Sequence, residues 1–294
     1  MKIVGILGGL GNQLFQYAFS RELARRSGER VLVDTGGFDH YGLHNGLELE
    51  RVFGLALDRP ERGEVDRLST VSSSFWSRLR RRIAPKKSHY IDRNLSFHDD
   101  VFTLDGDRYY EGFWQSERYF AGVGDEIRKK LSFPALDTRN AELMGRLPRP
   151  ACSVHVRRGD YLRPENRHLA VCDAGYYERA SAEMVALREV ASFAVFSDDP
   201  EWCKGNLKFG KRQVIFVDWN RGEDSWQDMA MMAACDHQII ANSSFSWWGA
   251  WLGEGDGGLV MAPSVWAKNG VGKSPLGYRV EYADTVPERW TRIE

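Results

Sequence analysis

The sequence predicts an α/β protein in two halves, each a parallel sheet flanked by helices. Two observations carry that expectation, and a third divides the halves. Residues Lys2 to Leu7 form an apolar β-type run that meets Gly8, Gly9 and Gly11. Leu14/Phe15, Ala18/Phe19 and Leu23 follow at helical spacing, then a second strand, Val31–Val33, ended by Asp34. From Ala151 onward strand-like and helix-like runs alternate, as in a parallel sheet covered by helices. Between them Pro148-Arg-Pro150 interrupts a helical pattern and marks the expected boundary. The lobes should run over 1–148 and 149–294, with the C-terminal tail able to pack back on the first.

Composition bounds the function. A chain of 294 residues suits about two ordinary domains, and its net charge of −1 argues against a nucleic-acid binder. The four cysteines are dispersed without C-x-x-C spacing, so neither a zinc site nor a disulfide framework is expected. There is no signal-like apolar region and no apolar run approaching the ~18 residues of a membrane span. The chain therefore reads as cytoplasmic.

The first half continues with a strand over Arg108 to Trp114, Ser116 as an N-cap, and helices near Glu117–Phe120, Asp125–Leu131 and Thr138–Leu147. In the second, strands fall near Ala151–Val156, Ser192–Phe196, Gln213–Val217, His237–Ala241 and Gly258–Met261. Helices fall near Gly175–Arg188, Asp199–Cys203, Ser225–Ala234 and Phe245–Leu252. Two charged features admit bland readings. The basic run Arg78, Arg80, Arg81, Arg82, Lys86 and Lys87 is expected to be a solvated face, with contact to an anionic membrane surface as the alternative. Asp105-Gly-Asp107 has metal-ligand spacing but reads better as a tight turn. Trp247, Trp248 and Trp251 lie one turn apart and should pack into the core, and the sequon at Asn242 is expected to be fortuitous.

Four segments carry chemistry. Gly9-Leu-Gly11 begins a dinucleotide-type fingerprint, but Leu14 replaces its third glycine, and Asn12 and Gln13 open the helix. The glycine amides and helix start suit an anion or a sugar hydroxyl; a nicotinamide site using Gly9–Asp34 is the rival. His155-Val-Arg-Arg-Gly-Asp-Tyr161 follows a buried strand, and its adjacent arginines point to opposite sides, fitting a phosphate clamp. Phe196-Ser-Asp-Asp199 offers carboxylates for helix capping or for ribose and base. Ser243 or Ser244 can cap the next helix, leaving donors at its tip. The last three all lie at carboxyl ends of strands in one sheet and should line one crevice fit for a nucleoside diphosphate.

Gly8-Gly-Leu-Gly-Asn-Gln13 with Phe15-Gln-Tyr-Ala18, His155–Tyr161, Phe196–Asp199 and Asn242-Ser-Ser-Phe-Ser-Trp-Trp-Gly-Ala-Trp251 resemble, in order, the motifs of the α-1,2-fucosyltransferases, glycosyltransferase family 11. That resemblance implies a GT-B fold of two Rossmann-like lobes facing across a cleft. It implies GDP-β-L-fucose as donor and inverting transfer to a galactoside 2-hydroxyl, without a required metal or cofactor. By motif, Arg157 is expected on the β-phosphate, Arg158 in support of its loop, His155 near the nucleotide and Asp228 on guanine. Ser243, Ser244 and Phe245 fall at the diphosphate, with Gly11, Ser197 and Asp198 on the donor side. Asn12 is expected near fucose and the leaving oxygen, Gln13 on the acceptor side. Asp160 is either a general base or the brace of Arg157. The acceptor would be a galactose-containing oligosaccharide or lipid-linked glycan such as an O-antigen repeat, met at the inner membrane face through Arg78–Lys87. A nicotinamide-dependent oxidoreductase and a non-catalytic sugar-binding module are the rival classes.

Overall fold

The computed structural model describes residues 1–40, 44–70, 86–92, 95–268, 271–273 and 279–294. The chain divides into two compact units, Met1–Ser132 and Phe133–Glu294.

In the first unit β1 (Lys2–Gly5), β2 (Val31–Asp34), β3 (His89–Ile91) and β4 (Arg108–Glu111) form a parallel sheet in the order β2-β1-β4-β3. The central strand β1 is covered on both faces, which is why it reads as an unbroken apolar run. One face packs Val4 and Tyr110 against Phe19 and Leu23 of helix α1 (Leu10–Ser27), with Trp114 stacked 4.0 Å from Phe19. The other packs Ile3, Leu32 and Tyr109 on Leu68, at the end of α3 (Arg62–Leu68); α2 (Leu49–Phe53) precedes it and α4 (Gly124–Lys130) closes the unit. Strand β4 stops at Glu111, earlier than expected, because the chain turns at Gly112 and Trp114 takes a positive φ of 54°.

Among its described residues the second unit has six parallel strands in the order β12-β9-β8-β5-β6-β7: β5 (Ala151–Val156), β6 (Ser192–Ser197), β7 (Gln213–Val217), β8 (His237–Ile239), β9 (Val260–Pro263) and β12 (Thr291–Ile293). Helices α6 (Ala174–Leu187), α7 (Pro200–Asn206), α8 (Trp226–Ala233) and α9 (Ser244–Gly253) connect them; β10 (Val271–Lys273) and β11 (Arg279–Glu281) form a separate hairpin. The chain proceeds outward from β5 through β6 to β7, then returns to place β8 on the other side of β5. That reversal is the switch point where open α/β sheets bind ligands.

One expectation changes. The division falls at Ser132/Phe133 instead of Pro148, because α5 (Thr138–Arg146) is hydrogen-bonded to the second unit: Asn140 bonds both Asn220 and Gln227. The C-terminal tail adds β12 beside β9 in the second unit's own sheet. Asp105-Gly-Asp107 is a turn, with Gly106 at φ 73° and the Asp107 carboxylate paired with the N-terminal amine at 2.9 Å and Arg67 at 2.9 Å. Trp247, Trp248 and Trp251 are buried as expected. Asn242 is interior, its amide donating to the carbonyls of Leu169 and Trp266.

Candidate active site

Three loops meet at the carboxyl ends of β5, β6 and β8. The backbone N–H groups of Arg158 and Gly159 donate to the two oxygens of Asp198, at 2.9 and 3.1 Å. A Cβ on residue 159 would stand 2.9 Å from that carboxylate, so glycine permits the approach. Arg157 is gripped from both sides: one terminal nitrogen lies 2.8 Å from Asp160 and the other 3.1 Å from Asp198. The two ion pairs hold the guanidinium between carboxylates of two loops. Arg158 turns away, pairing with Asp199 at 3.1 Å and lying 3.9 Å over the Trp202 ring. The arginines thus divide their work as their alternation predicts. Tyr161 donates from its hydroxyl to the Asn242 carbonyl at 2.8 Å, tying the arginine loop to the start of α9.

At that helix Ser243 accepts from the Phe245 N–H, while Ser244 and Phe245 remain half-buried. The Phe245 ring lies 5.8 Å from that of His155. Burial, with Arg157 nearby, lowers the His155 imidazole to about 4 against the opposing pull of Asp198, so it is neutral at pH 7. A guanidinium beside a helix N-terminus is chemistry that suits an anion such as a diphosphate.

Asp228 lies in the first turn of α8, where Asn220 donates to its Oδ1 at 2.7 Å. Burial outweighs that bond and the nearby Arg221 and pushes its carboxyl up to about 7.

Some expected roles shift. Both Asp198 oxygens already brace the arginine loop, and the Ser197 hydroxyl accepts from the Asp199 N–H at 2.9 Å. Asp199 caps α7 by accepting from the Trp202 N–H. Within the protein these residues shape the site. In the first unit Gln13 is fully buried; it donates to the carbonyls of Gly8 and Gly46 and accepts from the Glu48 N–H. A side chain so enclosed has no surface for an acceptor sugar, so Gln13 fixes the glycine loop. Gly11 is buried within α1, whereas Asn12 is half-buried and accepts from Gln115 at 2.8 Å. Gly8, at φ 91°, needs its missing Cβ: one would sit 2.8 Å from Asn12 Nδ2. Asp34, the ribose ligand of the dinucleotide rival, accepts from Tyr109 and from the Gly36 N–H.

Gln115, Tyr161, Trp202, Asn140 and Asn220 escaped the sequence reading as site residues. Tyr161 closes a recognised segment and Trp202 follows one; the other three gain their partners only through the fold. Of the basic run, residues 71–85 fall outside the described part, and Lys86 donates to the carbonyls of Asp66 and Arg67. Among the described residues no helix is long and apolar enough to cross a membrane.

A parallel sheet with a braced arginine at its switch point defines an α/β protein of Rossmann-like architecture. The family model for glycosyl transferase family 11 matches residues 88–282. An α-1,2-colitosyltransferase of Escherichia coli is 31% identical, over 99% of this chain and 98% of its own length. A galactoside α-(1,2)-fucosyltransferase of Saimiri sciureus is 28% identical over 85% of this chain, which spans 64% of that relative. The crystal structure of NodZ α-1,6-fucosyltransferase soaked with GDP-fucose superposes with a TM-score of 0.52 at 17% identity, covering 85% of this chain and 92% of that one. The chain belongs to glycosyltransferase family 11, and its two Rossmann-like units are of the GT-B type.

Proposed function

We propose that this glycosyltransferase moves L-fucose from GDP-β-L-fucose to the 2-hydroxyl of a galactoside, with inversion, during synthesis of a cell-surface glycan such as an O-antigen repeat. The observation that carries the reading is Arg157, oriented by Asp160 and Asp198 beside the Ser243–Phe245 helix tip. The motif resemblance and the primate relative support fucose and galactoside. A second reading is favoured by the bacterial relative: colitose as the transferred sugar.

In this mechanism the sugar–phosphate bond breaks with oxocarbenium character at the anomeric carbon, and charge accumulates on the departing diphosphate. Arg157 and the α9 amides meet that charge in prearranged geometry. Asp228 accepts from the guanine edge. Neutral His155 lies beside the nucleotide and offers no competing charge. The motif resemblance assigns Asn12, whose side-chain oxygen accepts from Gln115, to the sugar. Asp160 acts as the brace of Arg157, its carboxylate 2.8 Å from the guanidinium.

Because the cationic work falls to protein groups, turnover in excess EDTA should equal turnover without it. Loss of activity on chelation, restored by a divalent ion, would contradict this mechanism. The reading itself is tested by incubating the chain with GDP-fucose or GDP-colitose and a panel of galactosides, followed by linkage analysis. An α-1,2-fucosylated galactoside is expected. A colitosylated product alone would favour the second reading, and no transfer from either donor would sink both.

A further inference from the structure

A chain of amides runs from the core of the second unit to Asp228, and its direction is fixed at the far end. The Trp219 indole N–H can only donate, and it donates to Asn140 Oδ1 at 2.8 Å. That contact turns Nδ2 of Asn140 toward Asn220 Oδ1, at 2.8 Å, and Gln227 Oε1, at 2.9 Å. With its oxygen so engaged, Asn220 aims its own Nδ2 at Asp228 Oδ1, 2.7 Å away. Asn140 is fully buried, and both hydrogens and the oxygen of its amide are satisfied. The frame around the relay is rigid. Gln227 accepts from the Asp137 N–H and donates to the Asp137 carboxylate, while that carboxylate caps α5. The Arg139 guanidinium lies 3.7 Å over the Trp219 ring and fixes the indole in place.

We propose that Trp219, Asn140 and Asn220 are positioning residues for nucleobase recognition, orienting the Asp228 carboxylate toward a base that presents two adjacent N–H donors on one edge. Guanine meets that description through N1–H and its 2-amino group. Hypoxanthine keeps only N1–H, and adenine offers an acceptor at N1. A carboxylate free to rotate accepts one donor from several bases; a fixed one rewards the two-donor edge. The inference rests on the assignment of Asp228 to the base, and the experiment separates the two.

Calorimetry on the full chain, comparing GDP with inosine diphosphate, reads the preference directly. Trp219→Phe keeps the ring beneath Arg139 and removes the donor. It should weaken GDP binding by about tenfold, the worth of one oriented hydrogen bond to a charged group, while inosine diphosphate changes by less than about threefold. Asn220→Ala, at a half-buried position, should narrow the preference equally and serves if Trp219→Phe does not fold. Asp228→Asn should abolish the preference. If Asp228→Asn abolishes it and both relay variants keep it, the relay is wrong and the base assignment stands. If Asp228→Asn retains it, both fall. Equal weakening of the two nucleotides in the relay variants would mark a merely structural role and overturn the proposal.

Discussion

Replacing Arg157 with alanine should lower turnover at saturating donor by about two to three orders of magnitude, the usual loss when a prearranged group facing transition-state charge is removed. Two features argue for the upper end of that range. The guanidinium is fixed by Asp160 and Asp198, so it needs no reorganisation as the diphosphate departs. Its removal also leaves two carboxylates without their cation beside an anionic leaving group, adding repulsion to the lost attraction. Arg157→Lys restores a charge without the planar fork that reaches both carboxylates and phosphate, and should recover only part of the activity. The side chain is about a third exposed, so the variants should melt close to wild type. Rates within a few-fold of wild type in Arg157→Ala would remove the clamp from the mechanism.

The affinity for the intact GDP-sugar should fall steeply as the solution is acidified. Under the proposed assignment guanine is met by oxygens that accept, so binding selects the carboxylate of Asp228 over its protonated form. Burial has raised that group to about 7, so the competent form is nearly full above pH 8. Below neutrality it declines about tenfold per pH unit, and the dissociation constant should rise about a hundredfold between pH 8 and pH 5. The nucleotide sugar is the right probe, because its diphosphate carries no terminal ionisation of the kind that titrates near ~6. His155 contributes little in this window, since its own titration lies near 4. Titration calorimetry from pH 5 to pH 8 tests this, with Asp228→Asn as the variant whose curve should be flat. A wild-type curve equally flat would show that Asp228 is ionised throughout or does not meet the base.

Much of the donor side was legible in the sequence, for a physical reason. Strands β5 and β6 are buried along almost their whole length, so they read as apolar runs, and glycine and charge crowd immediately after them. Carboxyl ends of neighbouring parallel strands must lie together, which is enough to bring Arg157, Asp198 and Ser243 into one place. The division of labour within the cluster was not legible. Nothing local distinguishes an aspartate that accepts from ribose from one that accepts two backbone N–H groups, as Asp198 does. Gln13 misled for a similar reason: a glutamine after a glycine loop looks available until Gly46 and Glu48, far along the chain, close around it. The unit boundary was misplaced because Asn140 and Gln227, widely separated in sequence, decide which side α5 joins. Trp114 truncated β4 through a backbone conformation that few tryptophans adopt.

The central claim, that the carboxyl ends of β5, β6 and β8 form a site for a guanosine diphosphate sugar, is tested most directly by thermal shift of the full chain against GDP, GDP-fucose, UDP and NADH. GDP and GDP-fucose should raise the melting temperature, and the Arg157→Ala variant should lose most of that shift. Stabilisation by NADH or UDP without a response to GDP would contradict it.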